Sequence, residues 1–299
     1  MVRWAAWKRV AISFHAVERA RRALLAALLA LAGCSLQAPS EEKVFSPSTD
    51  LDAGMRDGGR AGMDAAVPFD PARGLLLYYR FNESAGTVVH DFAGTWDGLV
   101  YGEPHWVSNG RIEGALQLTG GFPSDAGAGN YVELPPSVLS TLDECTIATW
   151  FNWAGMNSWE RVFDFGNHLP VWIYFTPSDA TGEAHLAGRL PDPRGVFIEL
   201  TVAQPVRTNT WTHLAVAWSA RRVQLFLDGK LMAEGAPEGG VMAKDLGNTQ
   251  RNWIGRSQFQ PGEHPQGFVD PDFAGMIDDF RIYGRALSAG EIAQLYALE

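Results

Sequence analysis

From residue 74 to its end the chain is a series of short apolar runs separated by turn residues, and their two-residue period limits the fold more than any other feature. The runs lie at 75–81, 115–118, 131–134, 146–153, 161–165, 171–176, 196–201, 211–218, 222–227, 252–255 and 276–283. In 211–218 the residues Leu214, Val216 and Trp218 share one face of an extended strand, and in 222–227 Val223, Leu225 and Leu227 do the same. The second run leads into Asp228-Gly229 and then 231–233, a tight-turn dipeptide that predicts a β-hairpin. More than ten strands with no helical interruption predict an all-β fold, an antiparallel two-sheet sandwich. One helix is expected at the end. Ser288 and Glu291 have capping-box spacing, and Ile292, Leu295 and Tyr296 follow at helical intervals, so a short C-terminal helix should lay an apolar stripe on the sandwich.

The residues before 74 have a different character. The 299 residues carry 24 Lys+Arg and 34 Asp+Glu, a formal charge of −10, but residues 1–33 hold six of the basic groups and one acid, which leaves −15 for the remainder. Such an acidic chain has no footprint for nucleic acid or for a general anionic membrane surface, because binding to phosphates rests on a surplus of Lys and Arg. Arg19, Arg21 and Arg22 precede an apolar run at 23–32, which at about ten residues is too short to cross a bilayer and reads as the core of an export signal. The run ends in Leu31-Ala32-Gly33-Cys34, which resembles the lipobox of bacterial lipoproteins. That resemblance implies cleavage before Cys34 and acylation of its thiol, palmitate included. Several chains on one cysteine would anchor the protein stably. Ser35, in place of Asp, fits an outer-membrane destination in the cell envelope, facing periplasm or surface. The segment 34–73 is rich in Ser, Pro, Asp, Gly and Ala, and all nine tryptophans outside the signal lie beyond it, so it reads as a disordered tether. The expected organisation is a lipoprotein signal peptide at 1–33, a lipid-anchored tether at 34–73 and one folded domain at 74–299. With Cys34 lipidated, Cys145 has no disulfide partner, and its apolar surroundings mark it as a core residue.

Several segments of the folded part have a familiar form: Tyr78-Tyr79-Arg80-Phe81-Asn82-Glu83-Ser84-Ala85-Gly86-Thr87, then Asp91, the run 159–167 beginning Trp159-Glu160-Arg161, Trp211-Thr212-His213-Leu214, the hairpin at 225–230, and Gly275-Met276-Ile277-Asp278-Asp279-Phe280-Arg281-Ile282-Tyr283-Gly284-Arg285. In this order they resemble the laminin-G-like, concanavalin A-like lectin/glucanase jelly-roll domains of bacterial extracellular proteins, over about residues 74–299. The resemblance implies a two-sheet jelly roll, binding of carbohydrate or protein more often than catalysis, and a structural calcium ion.

Calcium requires several hard oxygen ligands in a flexible arrangement. Asp91 and Asp278 are the candidates, with Asn82 and Asp97 as secondary ones. Strict alternation puts Asp278 on the face of Phe280 and Ile282, pointing inward near a sheet edge. There a carboxylate needs either a cation or hydrogen-bond donors from loop amides or an Arg. For carbohydrate, exposed aromatic faces with amides nearby point to Trp153, Trp159, Trp172 and Asn167, whereas Trp150 and Trp218 fit a core. No catalytic residue is assigned. The E-x-D-x-x-E acid pattern of the related glucanases is missing, and the histidines show no metal-ligand spacing. The expected function is a non-enzymatic, lipid-anchored surface module that binds glycan or an extracellular protein and reaches the membrane only through its anchor. The alternatives are a glycoside hydrolase whose acids only the fold brings together, and a structural or adhesion protein of the envelope without a small ligand.

Overall fold

The computed structural model describes residues 69–298 apart from 124–128 and 266. The segment expected to be a signal peptide, Cys34 and the expected tether up to residue 68 lie outside the described residues. No described helix is long and apolar enough to cross a membrane.

Sixteen strands form two antiparallel sheets. In chain order they are β1 (Leu75–Tyr79), β2 (Val88–Val89), β3 (Gly98–Tyr101), β4 (His105–Ile112), β5 (Gly114–Gly121), β6 (Tyr131–Leu134), β7 (Cys145–Trp153), β8 (Phe163–Gly166), β9 (Trp172–Thr176), β10 (Ala184–Leu190), β11 (Gly195–Val202), β12 (Trp211–Ser219), β13 (Arg222–Leu227), β14 (Lys230–Gly235), β15 (Arg251–Ile254) and β16 (Asp272–Tyr283). The first sheet runs β14-β13-β12-β7-β16-β5-β4, with β1 also paired to β16, and the second runs β11-β10-β9-β8-β15-β6-β3-β2. This is the expected sandwich. Of its strands, β2, β3, β4 and β10 fall outside the apolar runs of the sequence. The edge strand β4 reads His-Trp-Val-Ser-Asn-Gly-Arg-Ile, a polar pattern that an edge tolerates because one side faces water.

Cross-strand rows show how alternation builds the core. In the second sheet Val100, Val132, Ile254, Phe163, Phe175, Leu186 and Leu200 are paired in turn across seven strands, and all seven lie in the buried core cluster. In the first sheet Leu225, Val216, Ile147, Ile282 and Leu77 form the matching row in the same cluster. Trp218 belongs to this core, stacked on Phe197 at 5.4 Å and donating its indole N–H to the Val241 carbonyl. Cys145 is buried there as well, and burial pushes its thiol up to about 12.

The opposite face of the first sheet is covered by the helix α1 (Ala289–Leu298). Its capping box forms as expected: the Ser288 amide donates to Glu291 Oε2 at 2.9 Å, and the Glu291 amide donates to Ser288 Oγ at 3.3 Å. Ile292 and Leu295 are buried against Ala148, Ala215, Phe226 and Tyr283. Tyr296 stacks on Trp150 at 5.5 Å, so Trp150 is buried beneath the helix and not between the sheets. The Asp228-Gly229 turn has both residues at positive φ, 48° and 71°, as the tight hairpin requires.

One register irregularity corrects the sequence reading. Ile277, Phe280 and Ile282 all lie in the inter-sheet core. Strict alternation cannot bury both Ile277 and Phe280, and a β-bulge between Asp278 and Arg281 on the β7 side, with Asp279 at φ 50°, supplies the extra residue. Asp278 therefore pairs with Trp150 and does not share the face of Phe280 and Ile282.

Candidate ligand-binding face

The face of the second sheet directed away from the core carries a second cross-strand row: Leu99, Glu133, Trp253, Asp164, Tyr174, Ala187 and Glu199, on β3, β6, β15, β8, β9, β10 and β11. Each residue neighbours a core-row residue in sequence, so alternation alone puts the aromatic and acidic side chains on one surface. Tertiary packing then divides that surface into a covered end and an open end.

At the covered end Trp172, Tyr174 and Ala187 form a buried cluster with Trp159 and Leu169 packed on it. The Arg161 guanidinium lies 3.8 Å over the Tyr174 ring and pairs with Asp270 at 2.6 Å and with Asp164 at 3.7 Å. The segment after β15 closes over this cluster, with the Gln258 amide donating to Asp164 Oδ2 and the Phe259 ring 6.4 Å from Trp172. Asp164 is wholly buried, and burial pushes its carboxyl up to about 7. Asp164 and Asp270 thus share one arginine under a loop. They do not flank an open groove.

At the open end Tyr101 stacks on Tyr131, with ring centroids 5.1 Å apart and planes at 10°, and Tyr131 meets the edge of Trp253 at 5.7 Å. Glu133 is held between them, accepting the Trp253 indole N–H at 2.9 Å and the Tyr101 hydroxyl at 3.3 Å. Its charge is the main cause that pushes the Tyr101 phenol above its ordinary value. Arg256 covers the other side of Tyr131 at 3.8 Å. Val88, Leu99, Tyr101 and Trp96 are each close to 40% exposed, an unusual concentration for large apolar side chains on one edge. Beside them lies a recess of about 380 Å³ walled by Val88, Leu99, Pro135, Pro136, Asp97 and Glu133.

The residues expected to bind carbohydrate are separated. Trp159 and Trp172 meet in the covered cluster. Trp153 lies in the inter-sheet core, its indole N–H donated to the buried Glu160 at 2.8 Å. Asn167 is spent on the segment before β15, accepting the Gln250 amide and donating to the Asn248 carbonyl. Trp96, Tyr101 and Tyr131 were not singled out by sequence. Their signal was the alternation of Asp97, Leu99 and Tyr101 onto one face, hidden by the brevity of β3.

The candidate calcium ligands are held by backbone amides of their own loops and neighbours. Asp91 accepts the amides of Tyr78, Ala93 and Trp96, all at 2.9–3.0 Å, and Asp97 accepts the Asp91 amide. Asn82 accepts the Gly114 amide and donates to Glu113. Asp278 Oδ2 accepts the amides of Arg111 and Ile112 at 2.9 and 2.7 Å, the loop-amide arrangement. These oxygens brace loops. Among the described residues no three His, Cys, Asp or Glu side chains come together as a metal site.

This architecture defines a class. A sequence profile of the concanavalin A-like lectin/glucanases superfamily matches residues 125–293, more than half of the chain, and the protein belongs to that superfamily. No curated protein sequence matches it. Among solved structures it is similar to domain 4 of AbnA, a GH43 extracellular arabinanase from Geobacillus stearothermophilus in complex with arabinotriose, at 20% identity and a TM-score of 0.57, over 74% of this chain and 98% of that one. It is also similar to a botulinum neurotoxin type C structure described as entering cells through two ganglioside molecules, at 14% identity and a TM-score of 0.54, over 75% of this chain and 51% of that one. A Trypanosoma rangeli sialidase mutant is similar at 16% identity and a TM-score of 0.50, over 75% of this chain and 32% of that one. In the toxin and the sialidase, then, the chain spans only about half and a third of the molecule. At these identities the likeness is one of fold.

Proposed function

We propose that the protein is a non-enzymatic binding module, held at the bacterial cell envelope by acylation of Cys34, whose open end of the second sheet contacts a carbohydrate or protein ligand. The observation that carries the reading is the stacked Tyr101–Tyr131 pair with Glu133 fixed beside it. Aromatic faces next to an oriented carboxylate suit ligands with apolar faces and polar edges, and both rings are restrained before a ligand arrives. Arabinotriose in the arabinanase domain and gangliosides for the neurotoxin are consistent with ligand binding on this fold. Asp164 and Asp270, gathered around Arg161 under a loop, are not placed on either side of an open scissile bond as a glycosidase pair must be.

Glycan-array binding by the chain carrying Cys34→Ser, repeated with Tyr101→Ala, tests the site. Specific glycans retained by the first and lost with the second are the expected result for a carbohydrate ligand. Retention of those glycans by Tyr101→Ala would remove this face from the proposal. Fractionation tests the anchor: Cys34→Ser should move the protein from the membrane to the soluble fraction, and persistence in the membrane would refute lipidation at Cys34.

A further inference from the structure

The recess at the open end has a one-sided chemistry. Its walls are aliphatic, from Val88, Leu99, Pro135 and Pro136, and its only polar side chains are the carboxylates of Asp97 and Glu133. No Lys, Arg, Asn, Gln, Ser or Thr lines it. Register explains the arrangement, because Leu99 is paired with Val88 on one side and Glu133 on the other, while Asp97 lies two residues before Leu99 on the same face of β3. Both acids keep solvent access: the Asp97 side chain is 49% exposed, and Glu133 is half-buried. Each oxygen has one protein partner, for Asp97 the Asp91 amide and His90 Nδ1 at 3.2 Å, for Glu133 the Tyr101 hydroxyl and the Trp253 indole, so a ligand would meet their remaining lone pairs. An ionised carboxylate only accepts hydrogen bonds, an ammonium only donates them, and a sugar hydroxyl needs both kinds of partner. A recess with acceptor-only side chains and aliphatic walls therefore matches a cationic head on an aliphatic stem better than a polyol. At about 380 Å³ it lies near the lower end of small-ligand sites, roughly 300–1,000 Å³, which suits a single side chain. The charge of −15 on residues 34–299 adds a long-range field of the same sign, which draws a cationic partner toward it.

We infer that this recess receives a lysine side chain presented by an extracellular protein partner, its methylene stem against Val88, Leu99 and the two prolines and its ammonium between Asp97 and Glu133. The inference rests on the proposed binding role of this face and names its partner chemistry. Trp96 and Tyr101, adjacent in sequence to the lining residue Asp97 and two residues from Leu99 respectively, are exposed and offer further apolar contact to such a partner.

The test uses the full-length chain with pentalysine and its Nε-acetylated form as probes, measured by calorimetric titration. Leu99→Lys puts a competing cation in the recess at an exposed position, and Val88→Lys does so from the neighbouring strand. Val196→Lys, 40% exposed on the edge strand at the opposite end of the sheet, makes the same charge change elsewhere. Unchanged melting temperatures establish that the variants are folded, and whichever of the two recess variants is folded decides the result. We expect pentalysine to bind, acetylation to weaken it at least about tenfold, Leu99→Lys or Val88→Lys to weaken it equally, and Val196→Lys to change it by less than about twofold. Equal loss in the recess variants and in Val196→Lys would reduce the effect to general acidity and overturn the inference, as would no binding or no effect of acetylation. The glycan array separates this outcome from failure of the binding role. Glycans bound by the chain and lost in Leu99→Lys, with pentalysine not bound, would make the recess a carbohydrate subsite and leave the binding module standing.

Discussion

Asp278 provides a quantitative test of how the bulge in β16 is balanced. It is fully buried opposite Trp150, with Oδ2 accepting the Arg111 and Ile112 amides and Oδ1 buried without a hydrogen-bond partner. Burial is the main cause that raises its pKa from 3.8 to about 7. The loop amides work against the rise, and the neighbouring Asp279 adds to it. A carboxyl that titrates near 3.8 unfolded and near 7 folded binds its proton more tightly in the native state. Its contribution to stability is therefore fully present below pH 3.8 and is lost as pH rises through about 7. A rise of about 3 units at about 1.4 kcal/mol each sets an upper limit of about 4 kcal/mol, and relaxation around the charge reduces this to roughly 2. Asp278→Asn keeps an acceptor for the two amides and replaces the orphaned oxygen with an uncharged group. Urea denaturation of wild type and variant at pH 5 and pH 8 should show the variant gaining about 1 kcal/mol on wild type between the two pH values, the rest of the effect being already present at pH 5. Comparing the two proteins cancels the other buried carboxyls, Glu160, Asp164 and Asp272, whose pKa values are also raised. If Asp278→Asn is instead less stable at pH 8 by more than about 1 kcal/mol, the carboxylate is required in its charged form, and a bound cation or the Arg281 field outweighs burial.

Three further outcomes follow from the packing. Phe163→Ala removes a fully buried ring from the middle of the core row and should cost about 3–5 kcal/mol by denaturant titration, with a smaller loss indicating that the core collapses around the gap. Ser288→Ala removes the side-chain half of the capping box and should cost about 0.5–2 kcal/mol, read as a lower melting temperature. Because Asp91, Asp97, Asn82 and Asp278 are engaged by loop amides, treatment with a chelator should leave the melting temperature unchanged, and a fall of several degrees would reveal a cation on these residues.

Period-2 alternation with turn dipeptides was enough to read the all-β sandwich, the Asp228-Gly229 hairpin and the capped helix at Ser288, because each depends on residues close in the chain. The expected lipobox and tether also rest on local patterns, in residues 23–73. The sites were less legible. Asp278 was read inward because a single inserted residue inverts every face assignment before it, and only the partner strands β7 and β5 reveal that Ile277 and Phe280 must both point in. Trp172 lies on the face opposite Ile173, yet the segment closing over it, some ninety residues later, decides that this face is covered there. The exposed end was missed for the complementary reason. Tyr101, Tyr131, Glu133 and Trp253 come from three strands spread over about 150 residues, and their stacking exists only when β3, β6 and β15 are aligned. The sequence by itself therefore determined which residues alternate and where the chain turns, since these follow from neighbouring backbone geometry. Tertiary structure alone decided which of two equivalent outward faces stays open to a ligand, since that depends on what distant segments pack over it.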